Sequence, residues 1–171
     1  MSATAKPCVA KFTNSPSLSI LLVLLASACG VEPALEPAPV FPESSTIGYA
    51  HGARLVDDPA AEFHVNTVGL VAEAGRAIKI GARIWDVDAN VLAGWTVAFQ
   101  GGWFVCHTRP RATWTFGCTH REQGWIQSGP DGGCRTSVLV HEIGHVVIGD
   151  MEHLDPRWKE STAHEYDACT P

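Results

Sequence analysis

The stretch His141-Glu142-Ile143-Gly144-His145 holds the residues whose types and spacing could do metal chemistry. Neutral imidazole is the commonest nitrogen ligand for zinc, and a carboxylate beside a bound ion can take a proton from water. The spacing works only on a helix. At about 100° per residue, positions four apart project about 40° from one another, so both rings face one side at a separation that a single tetrahedral ion bridges. Glu142 then lies near enough to that face to serve as a general base. The competing arrangement, two buried histidines bonded to neighbouring carbonyls, puts polar rings on an apolar helix and is costly without good partners.

A catalytic zinc takes three protein ligands and keeps its fourth position for water. Beyond the motif the chain reads Gly149-Asp150-Met151-Glu152-His153-Leu154-Asp155-Pro156-Arg157-Trp158. If Gly149 reverses the chain, His153 swings back toward His141 and His145 and is the first choice for third ligand. Asp150, Glu152 and Asp155 are local competitors, and Glu160 or Glu165 would serve if the ligand comes from a later helix.

The stretch from His141 to His153 resembles the zincin metallopeptidases, in particular the metzincin branch, whose second histidine is followed by a glycine and then a third histidine. The steps differ. In that branch the glycine lies three and the histidine six residues after the second histidine, whereas Gly149 and His153 lie four and eight after His145. The methionine turn of the branch has no downstream counterpart, since the only methionines are Met1 and Met151. The resemblance implies a zincin-like core that binds Zn2+, with Glu142 as general base, a protein or peptide substrate and an edge strand beside the cleft. Tyr166 and His164 are candidates, by residue type alone, for stabilising an oxyanion.

These residues need elements to hold them. Val138-Leu139-Val140 leads into the motif and Ile143, Val146, Val147 and Ile148 continue it, which predicts a mostly buried helix over residues 137–148. Thr136 or Ser137 is placed to cap its start, and Gly149 to end it. Upstream, Val68, Val71, Ala72, Gly75, Ile78, Ala82 and Trp85 recur at three- and four-residue steps, predicting an amphipathic helix with Arg76, Lys79 and Arg83 toward water. From Gly94 the period shifts toward two, giving strands at 95–100, 103–106, 113–116 and 125–127, separated by glycine-rich breaks. An N-terminal amphipathic helix, a small mixed or antiparallel sheet and a zinc-binding active-site helix make an α+β plan.

The beginning of the chain addresses it to export. Lys6 and Lys11 precede an apolar run over residues 18–28, too short to span a membrane and suited to a secretory signal. Leu25-Ala26-Ser27-Ala28-Cys29 resembles the site at which bacterial lipoproteins are cleaved and acylated, which implies a lipid anchor on Cys29. Gly30 after that cysteine resembles the outer-membrane sorting signal of Gram-negative bacteria; simple cleavage near Ala28, giving a secreted protein, is the alternative. Residues 1–28 are then the signal peptide, 29–45, with Pro33, Pro37, Pro39 and Pro42, an extended tether, and 46–171 one folded domain.

Export also explains the cysteines. Cys106, Cys118, Cys134 and Cys169 form an even set in an oxidising compartment. Of the three connectivities they permit, Cys106 with Cys118 across a hairpin and Cys134 with Cys169 is favoured. The net charge of −6 becomes −8 once the first 28 residues, with two lysines and no acid, are removed. Without clustered Lys and Arg, nucleic acid is not an expected partner.

Three further features are read structurally. Asp86-Val87-Asp88-Ala89-Asn90 begins like a calcium loop, but Val91 stands where the glycine belongs, so it reads as a turn. The six tryptophans read as core, and His51, His64, His107, His120 and His164 as single side chains outside any ligand set. The leading expectation is a zinc-dependent hydrolase, most simply a peptidase. The alternative is a zinc-stabilised surface lipoprotein that binds an envelope component or a protein partner without turnover.

Overall fold

Two strands precede the first helix, in a region where the apolar pattern of the sequence gives no element. The computed structural model describes residues 39–106, 113–149 and 152–170. In it β1 (Thr46–Ala50) and β2 (Ala53–Asp57) pair antiparallel across His51-Gly52, both at positive φ. Gly48 breaks the alternation of β1 and sits at a register shift, which hides the hairpin from a period-of-two search.

Helix α1 (Leu70–Ile84) follows, then β3 (Thr96–Phe99), β4 (Phe104–Cys106), β5 (Thr113–Thr115), β6 (Gly117–His120) and β7 (Trp125–Ser128). Helices α2 (Ser137–Ile148) and α3 (Arg157–His164) come last, followed by a 3-10 turn at Asp167–Cys169. The main sheet has the order β1-β2-β3-β7-β6. Its central strands β2, β3 and β7 are parallel and its edge strands β1 and β6 antiparallel, so the sheet is mixed. Parallel neighbours need a crossover, and α1 supplies the one between β2 and β3. The helix expected to open the domain therefore lies inside a βαβ unit. The architecture as a whole is a mixed α and β fold compatible with an α+β plan.

The core lies between one face of this sheet and the helices. Leu55, Val97, Phe99 and Ile126 are fully buried against Leu70, Ala74, Ala77 and Ile78 of α1 and Leu139, Val140 and Ile143 of α2. Gly81 lets the two helices approach: a Cβ there would lie 2.6 Å from Ile143 Cδ1. A glycine inside a helix weakens it by about 1 kcal/mol relative to alanine, so this position trades helix propensity for close packing. Arg76, Lys79 and Arg83 face water as the periodicity requires, but Val68 and Ala72 are exposed and Glu73 is buried.

The opposite face of the sheet carries a smaller cluster of Val56, Ala98 and Trp125, against which Phe41 packs edge-on at 5.5 Å. Arg54 donates to the carbonyls of Phe41 and Pro42. Packing thus begins before Thr46, within the stretch read as a tether. Cys106 is bonded to Cys118 and Cys134 to Cys169, with Cα separations of 5.8 and 5.7 Å. The first bridge joins the separate β4–β5 hairpin to β6 rather than closing one hairpin. Cys29 and the proposed signal peptide lie outside the described residues, among which no helix is long and apolar enough to cross a membrane.

Candidate metal centre

Helix α2 starts and stops for identifiable reasons. Thr136 stands at its N-cap position, but neither Thr136 nor Ser137 caps it: Thr136 Oγ1 donates to Glu73 Oε1 at 3.2 Å, and Ser137 Oγ to the Cys134 carbonyl at 3.1 Å. Arg135 adds an ion pair with Glu73 and hydrogen bonds to the carbonyls of Asn66 and Val68. A buried carboxylate on α1 thereby fixes the entry of α2, satisfying a charge that would otherwise be costly to bury. At the exit, Gly149 adopts φ 65° and its N–H returns to the His145 carbonyl at 3.0 Å.

The chain then reverses and brings His153 back. Its Nε2 lies 3.1 Å from Nε2 of His141 and 3.2 Å from Nε2 of His145. Three imidazole nitrogens bound to one tetrahedral zinc at about 2.0–2.1 Å must stand about 3.3 Å apart, so the observed spacing fits that ion closely. His145 is buried, His141 half-buried and His153 exposed, so the trio opens to solvent on the His153 side. His153 itself holds φ 58°, a conformation that costs a non-glycine residue energy and that the surrounding structure must enforce. Two residues on, Asp155 accepts from the Arg157 backbone at 2.9 Å and from its guanidinium at 3.0 and 2.7 Å, which fixes the turn into α3. Those bonds hold the Asp155 carboxyl down at about 2.

Trp158 of α3 forms the floor. Its ring lies 4.7, 4.7 and 4.4 Å from the rings of His141, His145 and His153, and Trp85 meets it edge-on at 4.7 Å. Gly144 leaves room for both tryptophans, since a Cβ there would stand 2.4 Å from Trp85 and 2.6 Å from Trp158.

Glu142 leaves α2 toward the sheet edge. Thr119 of β6 donates to its Oε2 at 2.6 Å, and a Cβ on Gly117 would lie 2.2 Å from its Oε1. The glycine is thus a cradle for the carboxylate. Glu142 is almost fully buried, and β6, the last strand of the sheet, runs beside the helix that carries the histidines.

Among the competitors for third ligand, Asp155 is committed to Arg157, Glu152 and Glu160 are exposed, and Asp150 lies outside the described residues. Glu165 approaches the other side of His141, with Oε1 3.4 Å from Nδ1. Tyr166 donates to Asp131 at 2.8 Å, which pushes its pKa up, and His164 pairs with Asp167 at 2.7 Å. His64 pairs with Asp57, His120 stacks on Trp125, His51 sits in the first hairpin turn, and His107 lies outside the described residues. Glu73, Cys134 and Cys169 also come within ligand distance of one another, but the two sulfurs are bonded together.

The roles of Trp158, Thr119, Gly117 and Gly144 are absent from the sequence reading. Only Gly144, a residue without a side chain between two histidines on a packed helix, carried a local signal. Comparison of the chain with protein families, curated proteins and solved structures finds no match.

Proposed function

We propose that this chain is a zinc-dependent hydrolase, most simply a peptidase, exported and anchored to the cell envelope through acylated Cys29. The observation that carries the reading is the convergence of Nε2 of His141, His145 and His153 at the spacing of a tetrahedral ion, on and beside the helix that also carries Glu142. The three imidazoles would hold the ion. Bound zinc supplies Lewis acidity toward a scissile carbonyl and toward water.

The remaining work falls to the chain's own groups. Glu142 accepts a proton from the attacking water and returns it to the leaving amine, a role that typically contributes about 10²–10⁴-fold. Thr119 and Gly117 set the rotation and depth of its carboxylate. Trp158 excludes water from the floor and keeps the three rings from turning away.

The test is a pair of measurements on purified protein. The wild type should retain one zinc and cleave members of a peptide library, while E142A keeps the zinc and loses cleavage by at least about 10²-fold. Equal cleavage by E142A overturns the general-base role. Zinc without any turnover in the wild type supports the binding-protein reading instead.

A further inference from the structure

We infer that Glu165 is a positioning residue for His141: it fixes the ring so that Nε2, and not Nδ1, presents its lone pair to the histidine trio. This rests on the proposed zinc centre. The geometry is two-sided, with Nε2 of His141 3.1 Å from His153 and Nδ1 3.4 Å from the Glu165 carboxylate. A neutral imidazole carries one N–H, and a carboxylate at Nδ1 draws the proton there. That leaves Nε2 as the ligating atom. Without the carboxylate both tautomers compete, and only one of them can bind through Nε2.

Glu165 is held in register by anchors on both sides. Upstream lies α3, whose Trp158 packs under His141 itself. Downstream, the turn Asp167–Cys169 is tied by the bond from Arg76 Nε to the Ala168 carbonyl at 2.9 Å and by the disulfide from Cys169 to Cys134. Cys134 stands three residues before α2 begins. A covalent link therefore joins the entry of the helix that carries His141 to the segment that carries Glu165. Both side chains are largely enclosed, at 23% and 14% exposure, so water competes weakly for the contact.

The test compares wild type, E165A and E165Q by zinc affinity in competition with a chromophoric chelator, and by ring-nitrogen NMR of the zinc-free chain at about pH 8, above the ordinary imidazole value of about 6.5. E165A should weaken zinc binding by about 10–100-fold, as loss of an outer-shell partner does, and E165Q, which keeps a weaker acceptor, by less. The NMR should show His141 as the Nδ1–H tautomer in wild type and as a mixture in E165A, a change that a general loss of stability would not produce. Wild-type zinc affinity in E165A, or an unchanged His141 tautomer, overturns the positioning role. Failure of wild type to take up zinc overturns the proposed centre, while the zinc-free tautomer measurement still decides the role of Glu165.

Discussion

Gly144 shows how much of the candidate centre depends on a missing side chain. It lies between His141 and His145 on α2, and both Trp85 and Trp158 press against its Cα. G144A forces one ring away, and overpacking of this kind typically costs about 1–3 kcal/mol. Denaturant unfolding of the zinc-free chain should register that loss, and zinc affinity should fall with it because Trp158 floors all three rings; an unchanged midpoint and affinity would show that the tryptophans pack elsewhere. At this scale the sequence was legible where type and spacing suffice. His141, Glu142 and His145 follow from helical periodicity, and the return of His153 from a glycine at the helix end. Thr119 and Gly117 were not legible, because their contact with Glu142 joins residues 23 and 25 positions apart through the sheet. Glu165 was legible only as a possible ligand, since chain order cannot tell which ring nitrogen it will meet.

Between residues and the whole, α3 is the element the sequence concealed. Arg157–His164 is a polar helix that buries little besides Trp158 and Ser161, so its apolar pattern is too thin to read. Its position comes from the turn at Asp155 and from the disulfide beyond it. The Asp155 carboxyl is lowered from its ordinary 3.8 to about 2 by the bonds from Arg157. A depressed carboxylate stabilises the fold above its unfolded value, and that contribution fades as pH falls from about 4 toward 2. Acid unfolding of the zinc-free wild type, followed by tryptophan fluorescence, should therefore show a loss across that window which D155N lacks; matching curves would remove Asp155 from the anchoring of α3. The disulfide acts on the same segment. Replacing Cys134 and Cys169 by serine should lower zinc affinity, and combined with E165A it should lower it by less than the two separate effects together, because both act through one contact. Full additivity in that cycle would separate the bridge from Glu165.

For the molecule as a whole, periodicity placed four of the seven strands and two of the three helices among the described residues, missing β1, β2, β6 and α3, and did not give the connectivity. The strands at residues 96–99, 104–106, 113–115 and 125–128 and the helix over 137–148 lie where alternation and helical spacing put them. The hairpin of β1 and β2 and the parallel centre of the sheet were hidden, because a strand of five residues with a bulge has little alternation and pairing direction is set by crossovers. The edge position of β6 matters most for function, since it puts the cradle of Glu142 beside the helix that carries His141 and His145. The central claim, that three imidazoles of this chain share one zinc ion, is tested most directly by X-ray absorption at the zinc edge of the purified protein. The expected spectrum shows three imidazole nitrogens at about 2.0–2.1 Å with a further light oxygen or nitrogen atom. Sulfur at about 2.3 Å, or a chain that retains no zinc, would contradict it.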